Sequence, residues 1–191
     1  MTRRSPARKV EFPVAKSSWH PSPLLGQVVL VSSRNTQGET HVAAKSWISM
    51  VASDPPTLSL ACRITHRTAI NILETREFVV NIPGDDISEK ALASGESLLS
   101  DGDGPPWTLA PALKVAAPIV QECRAHLECV LDATRRFNAE EIALFGRILA
   151  VSVDEALLQG DNEERYRRLK PLFFLEEGLY GVVDHARRFE R

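Results

Sequence analysis

Gly38 to Asn71 reads GETHVAAKSWISMVASDPPTLSLACRITHRTAIN, and the reading of this stretch decides the fold. Its last part is the most informative. Cys62-Arg63-Ile64-Thr65-His66-Arg67-Thr68 follows an apolar run, Thr57 to Ala61, and precedes Ala69, Ile72 and Leu73, which recur at helical spacing. The pattern predicts a strand, a tight turn, and a short helix from Arg67 to Thr75 capped by Thr65 or His66. A helix start presents backbone N–H groups and partial positive charge, so it attracts phosphate without any special side chain. Arg63 and Arg67 add forked donors, and Thr65 and Thr68 add hydroxyls. A second reading stands beside this phosphate cradle on the residues alone: a solvated loop with two surface arginines and an ordinary cap, the commoner outcome for such a composition.

Upstream, His41-Val42-Ala43-Ala44-Lys45-Ser46-Trp47 leaves a predicted strand with small residues, which let a flat ligand approach the backbone closely. Lys45 places a positive charge beside that approach, and Ser46 can donate or accept a hydrogen bond. Trp47 can wall a pocket or fill the core, the latter being commoner for a lone tryptophan. Asp54-Pro55-Pro56 then makes a rigid corner, because consecutive prolines restrict themselves and the residue before them.

Working outward toward the N-terminus, Gln27 to Ser33 is a β-branched apolar run, and Asn35 to Gly38 supplies turn chemistry before a partner strand from Glu39. Residues 1–23 read as a basic, proline-broken arm with no apolar segment of a secretory signal. In the other direction, Phe78 to Ile82 is a short strand stopped by Pro83-Gly84, and Asp85 to Gly95 holds a short helix capped by Ser88. Glu96 to Pro118 is loop-like, with Asp101-Gly102-Asp103-Gly104-Pro105-Pro106 at its centre and Trp107 behind it. A loop this long inside a compact domain is usually functional or mobile.

Gln121 to Arg135 alternates at Cys123, Ala125, Leu127, Cys129 and Leu131, and Ile142 to Val153 repeats the strand signal, so the two predict a long hairpin with one buried face. On that reading Cys123 and Cys129 share a face, and Glu122, Arg124 and Glu128 are solvated or interface charges. Asp161 to Lys170 is a charged helix ended by Pro171, whose Arg165, Arg167 and Arg168 read most simply as a solvated face. Leu172 to Leu175 is a last short strand. The early alternation of strand and helix is compatible with a parallel α/β sheet, but the long adjacent strands later in the chain favour a mostly antiparallel barrel with helices packed outside.

With 191 residues, 43% of them hydrophobic, the chain can bury one sizeable core. A net charge of −2 argues against a nucleic-acid partner, and no apolar run approaches the length of a membrane span. Three cysteines without a C-x-x-C spacing favour free thiols and a reducing, cytoplasmic setting, and the five histidines form no ligand-spaced pair, so no metal is expected. Paired carboxylates, a Ser-His-Asp order and a G-x-G-x-x-G fingerprint are all missing, so no catalytic side chain is assigned.

Several separated motifs, in order, carry a family resemblance: VVLVSSRNTQGETHVAAKSW at 28–47, SDPPTLSLACR at 53–63, THRTAINILETREFVVNIP at 65–83, KPLFF at 170–174 and LYG at 179–181. Together they resemble the flavin reductase-like proteins with an FMN-binding split barrel, and within them the flavoredoxin branch, over roughly residues 24–185. The resemblance implies a mainly β, antiparallel split β-barrel with peripheral helices, a single domain over residues 24–185, and a tail at 186–191. It places a flavin ring near the crossing Ala43 to Trp47 and the phosphate near the turn Arg63 to Thr68, with Ala44, Lys45, Ser46, Trp47, Ala61, Cys62, Arg63, Thr65, His66, Arg67 and Thr68 as the cofactor-binding residues. His41 stands where such relatives often carry asparagine. The implied cofactor is FMN, with FAD as the alternative, and NAD(P)H is a transient co-substrate. The implied activities are an NAD(P)H-dependent flavin reductase, which supplies a monooxygenase or another acceptor protein, and a flavoredoxin-type electron carrier. A third reading is a barrel that has lost its flavin. The resemblance also implies a homodimer, with Trp107 covering the ring or lining the substrate entrance; on the residues alone Trp107 is equally a side chain tacked onto the core, and Tyr180 touches the flavin or merely packs.

Overall fold

The computed structural model describes residues 24–95, 106–176, 179–187 and 189. The N-terminal arm, the centre of the long loop and part of the tail therefore lie outside the described residues. The architecture rests on a seven-stranded sheet. Its strands are β2 (Val29–Arg34), β3 (Thr40–Lys45), β4 (Ile48–Ser53), β5 (Pro56–Arg63), β6 (Glu77–Ile82), β9 (Ala125–Arg136) and β10 (Glu141–Val153). Their spatial order is β3-β2-β6-β9-β10-β5-β4, and every neighbouring pair is antiparallel. The parallel alternative is thereby excluded. The two edge strands, β3 and β4, are consecutive in the chain and joined only by Ser46 and Trp47. A sheet whose opposite edges are tied so tightly must curl into a barrel, and the opening between those edges is the split.

The inside of the barrel holds the main core. Val29, Val31, Leu58, Leu60, Phe78, Val80, Leu131 and Leu144 meet Ala69 and Ile72 of helix α1 (Arg67–Thr75). Each fully buried side chain of this kind contributes about 1.5–3 kcal/mol by leaving water. Where the ring of Phe78 needs room, β10 carries Gly146 beside a bulge: a Cβ there would overlap the ring. Asn71 fastens α1 to β2 by donating from Nδ2 to Ser33 Oγ over 3.1 Å.

The outer sheet face is covered as well, by α2 (Ser88–Ala93), β7 (Leu109–Ala110) and β8 (Ile119–Val120). Here lies the clearest departure from the pattern reading. Glu128 is 1% exposed, and its carboxylate accepts the backbone N–H groups of Leu113 (2.9 Å) and Lys114. Glu77 accepts Ala116 N–H (2.7 Å), Asn81 Oδ1 accepts Val120 N–H (2.9 Å), and Ser32 Oγ donates to the Pro118 carbonyl. The segment 109–120 is thus a strap sewn to the sheet by side chains from β2, β6 and β9. Polar residues alternating along β9 face this strap, so alternation marked two covered faces where one solvated face was expected. Cys123 and Cys129 also part company. The strand begins only at Ala125, so Cys123 sits in the preceding turn and packs with Leu30 and Val120, whereas Cys129 lies in the barrel core. Both are free thiols, and burial pushes that of Cys129 up to about 12.

A small second sheet orders β1 (Gly26–Gln27), β11 (Leu172–Glu176) and β12 (Leu179–Val182) as β1-β11-β12. Between the sheets, α3 (Glu155–Leu158) and α4 (Asn162–Leu169) pack on one another. The arginines of α4 are structural: Arg165 donates to the Leu157 carbonyl, Arg168 to those of Ala156 and Gln159, and Arg167 pairs with Glu163. Ser88 is the first residue of α2, with Ile87 in the capping position, and its hydroxyl contacts Tyr180 Oη at 3.1 Å. That contact ties the closing strand to α2.

Candidate functional site

The split gathers the predicted residues from two directions. From one side comes the crossing Lys45-Ser46-Trp47, stretched between the barrel's edges. Because Lys45 pairs with Val29, whose side chain is in the core, it shares Val29's inward face, and it is only 8% exposed. Its Nζ lies 3.4 Å from Nδ1 of His66. From the other side, β5 ends at Arg63 and the chain turns, with His66 N–H donating to the Arg63 carbonyl over 3.1 Å. Ile64 N–H is held by the Glu140 carbonyl of the β9–β10 hairpin over 2.8 Å, so the turn is braced from outside.

His66 occupies the N-cap position of α1 with extended backbone and no side-chain cap bond. Of the two cap candidates the structure selects His66, and its ring turns to Lys45 instead of closing on its own helix. The first helical bond runs from Ile70 N–H to His66 C=O, so the helix itself supplies no acceptor for the N–H groups ahead of it. Arg63, Thr65 and Arg67 are exposed around this start. Thr68 is fully buried and points beneath the helix, and Cys62 lies in the barrel core with Leu60 and Ile142, so neither presents a side chain at the outer surface. Ala61 contributes backbone: its N–H donates to the Trp47 carbonyl over 2.9 Å, joining turn to crossing. The indole of Trp47 is 64% exposed, which excludes the core-filling role within this chain.

Two supports of the crossing carry no signal in local sequence. Gly26 of β1 lies flat against it, and a Cβ at that position would overlap the carbonyl oxygen of Ser46. On the other edge, Ala44 N–H donates to the Ser94 carbonyl over 3.0 Å, and Ser94 Oγ accepts the indole N–H of Trp107 over 3.2 Å. Trp107 is half-buried against Leu30 and Val120, with Lys90 Nζ 4.1 Å from its ring centroid. Trp107 therefore docks on the α2 side and backs the crossing through Ser94. Only the contact map links these residues, because each is remote in the chain from the position it supports.

The donor set is that of an anion site beside a flat surface: an ammonium held below the split, a helix start, two exposed guanidiniums, a threonine hydroxyl and an exposed indole. A monophosphate suits the charge of the helix start and of the guanidiniums and hydroxyl exposed around it.

Comparison with known proteins agrees with this geometry. Residues 22–181 match the family described as Flavin reductase like domain. The chain is similar to the solved nitrilotriacetate monooxygenase component B from Bacillus cereus, at 22% identity and a TM-score of 0.82, covering 98% of this chain and 100% of that one. It is similar also to the 2-nitrobenzoate 2-nitroreductase of Pseudomonas fluorescens, at 25% identity and 0.79 over 90% and 87% of the two chains. A flavoredoxin from Methanosarcina acetivorans superimposes with a TM-score of 0.79 at 23% identity, over 95% of each chain. The protein is a member of the flavin reductase-like family with the split-barrel fold.

Proposed function

We propose that the protein binds FMN in the split and passes hydride from NAD(P)H to the flavin, supplying a monooxygenase or another acceptor protein. One observation carries this reading: the ammonium of Lys45 and the start of α1 converge at the split, with Lys45 Nζ 3.4 Å from Nδ1 of the capping His66, beside the exposed Trp47. FMN is favoured over FAD because one compact turn offers a cradle for one phosphate.

When bound, FMN supplies the redox chemistry at its ring. The chain holds and orients. Thr65, Arg67 and the α1 amides would hold the phosphate, and Arg63 would add charge from the end of β5. Lys45 would offer a positive charge beside the ring, and being nearly buried it would act with little screening by water. The side chain of Ala44 packs against the cluster of Leu30 and Ala91 on the face opposite Lys45, so it steadies the crossing from behind.

A homodimer belongs to the same proposal. The edge strand β4 exposes Met50 (55%) and Val51 (51%) beside Trp47, an apolar sheet edge that a second copy would cover. The cytoplasmic placement rests on the free thiols; among the described residues no helix is long and apolar enough to cross a membrane.

The test is anaerobic. Purified protein with added FMN is given NADH, then NADPH, while the flavin absorbance is followed. Bleaching at a catalytic rate supports the reductase and identifies the nicotinamide. Bound flavin that neither nicotinamide bleaches replaces it with the flavoredoxin-type carrier, and failure to bind FMN overturns the site.

A further inference from the structure

The strap and the end of β2 line an open cleft of about 370 Å³ on the sheet face opposite Lys45. Its walls are Leu109, Pro111, Ala112, Val115 and Pro118, and its one charged lining group is Arg34 at the end of β2. Arg34 is half-buried and donates from Nε to Thr40 Oγ1 at 3.4 Å. Among the described residues no carboxylate pairs with it. A half-buried guanidinium without a carboxylate partner beside the aliphatic and proline side chains of this cleft is an unusual arrangement, because desolvating a charge is costly unless a counter-charge is supplied.

The cleft is built, not incidental. Glu128 holds Leu113 and Lys114, Glu77 holds Ala116, and Ser32 holds Pro118, so its outer wall is fixed to the sheet at points on either side. It is also separate from the split. Arg34 lies five residues beyond Val29, the partner of Lys45, and a strand rises ~3.3 Å per residue, so the two charges are about 16 Å apart along β2 and on opposite faces.

We propose that this cleft is a second ligand site, for a small carboxylate with a flat apolar body, its carboxylate paired with the Arg34 guanidinium. The forked Nη donors suit a carboxylate's two oxygens. The proline and aliphatic walls suit an aromatic ring, and the volume falls in the range of small-molecule sites, about 300–1,000 Å³.

Benzoate is the probe, with benzyl alcohol as its uncharged counterpart, followed by calorimetric titration of the whole chain with and without saturating FMN. Benzoate should bind with a Kd of about 1 mM or tighter, benzyl alcohol at least tenfold more weakly, and FMN should not displace benzoate. Arg34→Gln should weaken benzoate tenfold or more while leaving benzyl alcohol unchanged. Ala116→Phe, which fills the cleft from an exposed backbone position whose N–H bond to Glu77 it retains, should abolish binding of both. Absence of benzoate binding to the natural chain overturns the proposal. So does unchanged binding by folded Arg34→Gln, or displacement by FMN.

Discussion

The Nζ of Lys45, at the end of β3, stands 3.4 Å from Nδ1 of His66, the residue that caps α1. An ammonium has only donors, so within this contact the acceptor is Nδ1 of His66. The contact holds the barrel's open edge to the helix start. Lys45→Met keeps the length of the side chain and removes the charge. FMN affinity should fall about tenfold to a hundredfold, the value of a charge-assisted bond lost from a partly buried site. Quenching of flavin fluorescence on titration measures it, and an unchanged Kd removes Lys45 from the site.

Arg67 opens α1 and is exposed. Arg67→Ala should weaken FMN about tenfold and riboflavin less than twofold, because only FMN carries the phosphate that the guanidinium grips. Equal weakening of both ligands would contradict the placing of the phosphate at this turn.

Gly26 leaves no room for a side chain over Ser46. Gly26→Ala must push the crossing away from β1, with a loss of about 1–3 kcal/mol from overpacking and weaker FMN binding. Gly38 is a control: its φ of 86° makes Gly38→Ala cost about 1 kcal/mol of backbone strain, but it lies at the hairpin tip with nothing near its missing Cβ. Flavin affinity should survive in Gly38→Ala and drop in Gly26→Ala, as read by urea denaturation and flavin titration of the two variants.

His126 donates from Nδ1 to Asn81 Oδ1 over 2.9 Å and is 7% exposed. Burial holds its pKa below the ordinary 6.5, with Asp154 and Glu128 opposing. A lowered histidine pKa means that the unfolded chain binds the proton more tightly, so the fold keeps this contribution above about pH 6.5 and loses it as pH falls through the folded value. The melting temperature should therefore decline between pH 7 and pH 5, and His126→Gln should lessen that decline. A slope unaltered by the substitution would show that other groups produce it.

Glu128 is the buried anchor of the strap. Glu128→Ala strands two amide N–H groups and should cost about 2–4 kcal/mol, whereas Glu128→Gln keeps one acceptor and should cost less. Hydrogen exchange at Leu113 and Lys114 should quicken in the alanine variant before exchange in the barrel core does. Uniform acceleration would make Glu128 a general core residue with no special hold on the strap.

Much of this architecture was legible along the chain. The strand, turn and helix of 56–75 follow from apolar spacing, and the extended hairpin of β9 and β10 from alternation, because both signals are periodicities of local backbone geometry. The convergence of basic and hydroxyl residues at the turn was visible for the same reason. The side-chain directions inside it were not: Thr68 and Cys62 stood among the candidate contacts, and packing turns them under the helix and into the core.

What the sequence by itself determined is most of the long strands of the sheet and the position of the basic turn, since each depends on residues within a few positions of one another; β4, the partner of β5, reads along the chain only as part of the crossing and corner. Only the tertiary structure decided that β3 and β4 face each other across a split, that Gly26 and Ser94 brace the crossing, and that Glu128 and Arg34 lie under a strap instead of in water. These depend on contacts between segments far apart in the chain. Alternation along one strand reports that two faces differ, and only the neighbouring segments settle what covers each face.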